Sequence, residues 1–149
     1  MGIRHTSDFT RALQRTVRGS VFVTVEEPSY EDQLKRPERV YKLRKRRDDT
    51  MLATMTVQTL PGCCGVILFR NFAGEPEQVA AFIKLAEIAA KSLGFGMAIL
   101  TLRAESPIIP LLPDSGVIRF RNGKTDHLVS VVTRLLPQDM KATTTVEGE

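Results

Sequence analysis

Apolar and polar residues alternate along this chain with two different periods, and the periods divide it into elements. Phe9, Leu13 and Val17 recur at helical spacing, Thr6 or Ser7 can cap the start and Gly19 can stop the end, so a helix is predicted to about Arg18. Val21–Val25 is β-branched and reads as a strand closed by Pro28 and Ser29. Residues 50–60 (TMLATMTVQTL) and 66–69 (VILF) read as two strands joined near Pro61-Gly62, the second apolar enough to be central. The best helix runs from Pro76 to about Leu93, with Val79, Phe82, Ile83, Ala86, Ala90 and Leu93 on one face and Gly94 as its stop. Glu87 and Lys91 stand four apart on its thin polar stripe. Met97–Leu102 is a further buried strand. Asn122-Gly123 between residues 117–121 and 126–135 is the preferred pair for a tight hairpin.

A helix between two neighbouring apolar strands implies a parallel crossover. The expected fold is therefore α/β or α+β: a mixed, mostly antiparallel twisted sheet of about five to six strands. The long helix is placed on one face and the N-terminal helix on the other. A single domain is expected over residues 1–136, with a flexible polar tail over 137–149.

Residues 28–50 resist this treatment. Tyr30–Leu34 and Glu38–Arg47 could be helices kinked at Pro37, or the whole stretch a mobile loop. Charge adds to its interest. The formal net charge is +4, and the imbalance lies entirely in the first fifty residues, which hold twelve Lys/Arg against eight Asp/Glu. It concentrates in Lys35, Arg36, Arg39, Lys42, Arg44, Lys45, Arg46 and Arg47, a candidate contact arm for a protein partner or for nucleic acid. The competing reading is a solvated segment. Arg11, Arg15 and Arg18 form a second basic stripe.

Candidate chemistry is sparse. No apolar stretch has the roughly 20 residues of a membrane span, and the first ten residues carry no secretory apolar region, so a cytoplasmic or virion location is expected. Two cysteines, adjacent at Cys63-Cys64, and two histidines, His5 and His127, exclude a Cys/His metal module. The cysteines read as small packing residues, the histidines as a frayed-terminus and a strand-surface residue. Arg119 and Arg121 share one strand face, read as solvent-facing. Ile108, Ile109, Leu111 and Leu112, set among prolines, either plug the sheet edge or meet a partner, as in a homo-oligomer. The apolar strand from Val129 to Leu136 would invite pairing if it were an edge.

Over residues 50–136 the chain resembles the Gcn5-related N-acetyltransferase superfamily. The resemblance rests on the apolar strand ending in a turn (GVILFRNF), the long helix, the strand closing in Thr (AILTL) and the last strand pair (VIRFRN, HLVSVV). Small phage-encoded relatives share an entry like Gly62-Cys63-Cys64-Gly65 and a Phe-x-Asn turn like Phe120–Asn122. The resemblance implies an acetyl-coenzyme A site whose diphosphate rests on backbone N–H groups at the start of the long helix. The aligned positions are Arg70, Asn71, Phe72, Ala73 and Gly74, followed by Glu75, and only Arg70 fits the family pattern directly. Glu75 and Glu77 place carboxylates where a diphosphate would lie. The family's usual general acid, a Tyr after the next strand, is missing, since the only tyrosines are Tyr30 and Tyr41. The expectation is therefore a catalytically silent acetyltransferase-like interaction or structural protein of a phage, virion or other assembly, with no catalytic residue, metal or cofactor. The alternatives are an acyl-CoA-dependent N-acyltransferase with acetyl-CoA at residues 70–74, and a nucleic-acid-binding protein using the basic third.

Overall fold

A computed structural model describes residues 6–26, 38–59, 65–112, 117–122 and 125–135. The elements are α1 (Thr6–Thr16), β1 (Val21–Glu26), β2 (Glu38–Lys45), β3 (Met51–Thr59), β4 (Val66–Gly74), α2 (Pro76–Ser92), β5 (Met97–Arg103), a 3-10 turn (Ile109–Leu111), β6 (Val117–Asn122) and β7 (Thr125–Arg134). The strands form one seven-stranded sheet in the order β1-β2-β3-β4-β5-β7-β6. Only β4 and β5 run parallel, and α2 makes the crossover between them. Every other neighbour is antiparallel. The α+β class holds, with one strand more than the expected five to six.

The additional strand comes from the stretch that sequence could not assign. Glu38–Lys45 is neither helix nor loop but β2, inside the sheet between β1 and β3. Its register explains how so charged a segment can be an interior strand. Tyr41 pairs with Met55 and Leu43 with Ala53, and both side chains are buried. Lys42 and Arg44 fall on the opposite face, where no described helix lies. One apolar face of two residues is enough when the other face is open.

The two helices share a face. α1 packs on α2, and both cover the face carrying Tyr41, Met55, Val57, Ile67, Phe69, Leu100 and Val131. The expectation of helices on opposite faces is corrected by Phe9, whose ring stands edge-on to Tyr41 at 5.5 Å and tilted to Phe69 at 6.4 Å. A narrow apolar stripe on α1 needs only this one layer to be satisfied. The Tyr41 hydroxyl, buried with its ring, shares a 2.6 Å hydrogen bond with Thr10 Oγ1.

β7 is not an edge: it lies between β5 and β6, which removes the unpaired row of backbone groups. Ile108 and Leu112 are buried and the 3-10 turn contacts α2, so the proline-rich segment plugs the core, with Leu111 exposed. Arg119 and Arg121 occupy register positions opposite Val131 and Val129. His5, Tyr30, Lys35, Arg36, Cys63, Cys64 and the tail 137–149 lie outside the described residues.

On α2, Glu87 faces Thr133 of β7, and burial, partly opposed by a hydrogen bond with Thr133, pushes its carboxyl up to about 7. A group protonated more tightly in the folded than in the unfolded chain stabilises at low pH. That contribution is complete below pH 4.5 and disappears as pH rises through about 7. Stability is expected to fall by about 2–3 kcal/mol between pH 5 and pH 8 from this group. Glu87→Gln should flatten that slope in urea titrations across the same range, and an unchanged slope would refute the assignment.

Candidate functional site

Parallel strands need continuous ladder bonds to stay together, and β4 and β5 have only a short run of them. Their pairing proceeds from Val66↔Met97 to Phe69↔Leu100 and stops there. β4 continues to Gly74, held by β3 alone on its other side, while β5 continues to Arg103, held by β7. The two strands diverge, and a cavity of about 600 Å³ opens between them.

The divergence has a local cause. Between Thr54↔Ala73 and Thr56↔Arg70 the register shifts, so that Asn71 and Phe72 together oppose Met55. Asn71 takes a left-handed conformation, φ 57°, which asparagine tolerates better than most residues. Its side-chain amide donates to Thr56 Oγ1 at 3.3 Å. Such a bulge bends its strand and increases the local twist. Gly74 follows with φ 126°, and a Cβ there would stand 2.4 Å from the Leu52 carbonyl oxygen. β4 can close against β3 at this point only with glycine.

The cavity walls come from both diverging strands and from the segment after β5. Arg70, Asn71 and Phe72 line one side, Thr101, Leu102 and Arg103 the other; Glu105, Ser106, Pro107 and Ile108 close one end, and Leu128 of β7 adds an apolar contact. Arg70 is held across the helix-free face by Glu38 of β2, Nη2 to Oε2 at 2.6 Å. Arg103 lines the same cavity, exposed, and no described carboxylate pairs with it. Ser106 Oγ accepts from the Ile108 backbone N–H at 3.2 Å, which fixes the turn that bounds the cavity.

The residues aligned with the family's diphosphate turn are thus placed differently from that turn. Arg70–Gly74 are all strand residues of β4, and α2 starts two residues later at Pro76. Arg70, Asn71 and Phe72 line the cavity, whereas Ala73 and Gly74 are absent from its lining. The helix start has an extended Glu75 at the N-cap with no side-chain cap bond, and Pro76 supplies no N–H. The backbone N–H groups of Glu77 and Gln78 remain as donors there, beside the carboxylates of Glu75 and Glu77. A diphosphate is poorly provided for at this helix start. The open edge of β4 is the better furnished part.

The basic residues converge elsewhere. Arg39, Lys42, Arg44 and Lys45 are in β2, and Arg46 and Arg47 in the turn after it. They do not form a free arm. Arg44 donates to Thr24 Oγ1 and to the Asp49 carbonyl. Arg46 donates to the Gly19 carbonyl at 3.0 Å and lies over the Phe22 ring, 5.3 Å from its centroid. Among the described residues no group of three or more His, Cys, Asp or Glu could hold a metal ion. No described helix is long and apolar enough to cross a membrane.

Sequence reasoning missed Thr101, Arg103, Glu105, Ser106 and Leu128. The period-two alternation of β5 does put Thr101 and Arg103 on one face. What it cannot show is that the neighbouring strand has left them by that point.

No family model matches the chain, and no curated protein matches it in sequence. Solved structures do match in fold. The IAA acetyltransferase of Bacillus cereus superposes with TM-score 0.54 at 13% identity, covering 78% of this chain and 100% of that one. The ribosomal-protein-S18-alanine N-acetyltransferase of Escherichia coli gives 0.50 at 14% identity, covering 91% and 93%. The PaiA N-acetyltransferase of Thermoplasma acidophilum, in complex with coenzyme A, gives 0.51 at 10% identity, covering 70% and 65%.

These likenesses overturn the expectation of a catalytically silent interaction or structural protein. The three solved structures are acetyltransferases by name, which stands with the alternative expectation and against the silent one. These likenesses give the chain the fold of the Gcn5-related N-acetyltransferases.

Proposed function

We propose that this protein is an acyl-CoA-dependent N-acyltransferase whose reaction takes place where β4 and β5 part. The observation that carries the proposal is the end of pairing at Phe69↔Leu100, beside a cavity of about 600 Å³. Beyond Phe69 the side of β4 that faces β5 has no strand partner, and unpaired backbone groups demand one. A pantetheine arm, with its two amides, can be accepted there much as a peptide is added to a sheet edge. Arg70, Asn71 and Phe72 are the candidate residues along it.

Acyl-CoA supplies a thioester carbonyl open to attack by an amine. In the transfer, the carbon–nitrogen bond forms, the carbon–sulfur bond breaks, the amine loses a proton and the departing sulfur gains one. The chain's own part is to orient the two reactants and to place backbone N–H groups of β4 where negative charge develops on oxygen. Tyr41 takes no part, because its ring is fully buried under α1 and its hydroxyl is engaged by Thr10. Thr101 and Ser106 are the hydroxyl groups in the cavity wall. The poor helix start predicts that binding depends more on the pantetheine and acyl parts than on the phosphates.

Thermal unfolding with and without acetyl-CoA tests donor binding. A ligand that binds only the folded chain stabilises it by about 2.7 kcal/mol at a hundredfold excess over Kd. A shift is expected with acetyl-CoA that inorganic phosphate does not reproduce. No shift at any acetyl-CoA concentration would contradict the proposal.

A further inference from the structure

We infer that the acceptor is an amine that also carries a carboxylate, of the amino-acid type, recognised by Arg103 in the cavity that Arg70 also lines. The inference rests on the acyltransferase reading above and specifies the acceptor at that same cavity.

Among the described residues, charge in the cavity wall leaves Arg103 as its unpaired cation. Two guanidinium groups, Arg70 and Arg103, meet one lining carboxylate, Glu105. Arg70 is already oriented by Glu38 at 2.6 Å from the helix-free face. A guanidinium has five donors, so one ion pair leaves others for a ligand. Arg103 has no ion-pair partner among the described residues, and it is the cation most available to an incoming anion. Arg103 sits two residues beyond Thr101 on β5, on the same sheet face. Thr101 pairs with Ser130 of β7, and Arg103 with Leu128. A planar carboxylate matches the guanidinium fork in two parallel hydrogen bonds, which adds geometric selection to charge.

Glu38 offsets Arg70 and Glu105 stands in the wall, so Arg103 is the cation left to hold the acceptor's carboxylate. Phe72, Leu102, Ile108 and Leu128 make the remaining lining apolar, which suits a carboxylate-bearing acceptor with an apolar side group.

The test uses the full chain, acetyl-CoA and a panel of α- and ω-amino acids, each set beside its carboxamide and its decarboxylated amine, with thiol release and acylated product both measured. The wild-type chain is expected to favour the acids in kcat/KM by about tenfold to a hundredfold. Arg103→Gln is expected to raise KM for the acids by a similar factor and to leave KM for the carboxamides within about twofold. Arg103→Lys should restore part of the preference, since it keeps the charge but loses the fork. Equal use of acids, carboxamides and amines by the wild-type chain would overturn the inference while leaving the acyltransferase reading intact. So would an Arg103→Gln variant that keeps the preference. Acylation of no amine at all would defeat the acyltransferase reading, and the inference with it.

Discussion

Gly74→Val is expected to lower the unfolding free energy by about 3 kcal/mol or more, because strain at a left-handed position and a backbone collision act together. The position has φ 126°, a region that side-chain-bearing residues rarely adopt. Its missing Cβ would stand 2.4 Å from the Leu52 carbonyl oxygen and 3.0 Å from Ala53 Cα, both of them backbone atoms that cannot swing aside. Relief would require β3 and β4 to separate, and Gly74↔Ala53 is the pairing nearest to the start of α2. The variant should therefore lose acetyl-CoA binding along with stability, in urea denaturation and thermal shift measured side by side. A variant as stable as the wild type would mean that β4 does not close on β3 here. The effect also warns against reading a Gly74 substitution as a pure binding-site change.

Phe9→Ala should cost about 3–5 kcal/mol, the range for removing a fully buried aromatic ring. Phe9 is completely buried, edge-on to Tyr41 and tilted to Phe69, so it connects α1 to β2 and β4 at once. Its loss leaves Tyr41 without its ring neighbour and opens a void beside Phe69, the last residue of β4 that still pairs with β5. The urea midpoint should fall with the slope unchanged if only stability is altered. A cost below about 1 kcal/mol, the scale of an exposed site, would show that α1 is not docked on this face.

Much of this architecture can be read from residue order. The helical stripe of α2 with its Pro76 start and Gly94 stop is a local signal, and that helix is present. The strand pairs β3–β4 and β6–β7 are present and antiparallel as well, while Pro61, Gly62 and Gly123, read as their turns, lie outside the described residues. The parallel β4–β5 pair follows from a helix placed between two apolar strands. β2 was illegible for a physical reason: with one face open, a strand needs only Tyr41 and Leu43 to point inward, and five charges among eight residues obscure a signal of two. The face chosen by α1 was equally hidden. A stripe of Phe9, Leu13 and Val17 shows that a helix is covered on one side but not what covers it.

The candidate site was half legible. Arg70, Asn71 and Phe72 were reached through a family resemblance, as part of a turn; they line the cavity as strand residues at a bulge. Asn71 at φ 57° and the two-against-one register are backbone events, visible only once β3 and β4 are aligned. Arg103 and Ser106 carry no motif. They become candidates because β4 has moved away from β5 by the time the chain reaches them.

Acyl transfer is tested most directly by mass spectrometry of an amine panel incubated with acetyl-CoA and the full chain, with free thiol followed in parallel. Acetylated amine and free coenzyme A are expected in equal amounts, both dependent on the folded protein and lost in Gly74→Val. Intact acetyl-CoA and unmodified amines across the panel, with a folded wild-type chain, would contradict acyl transfer.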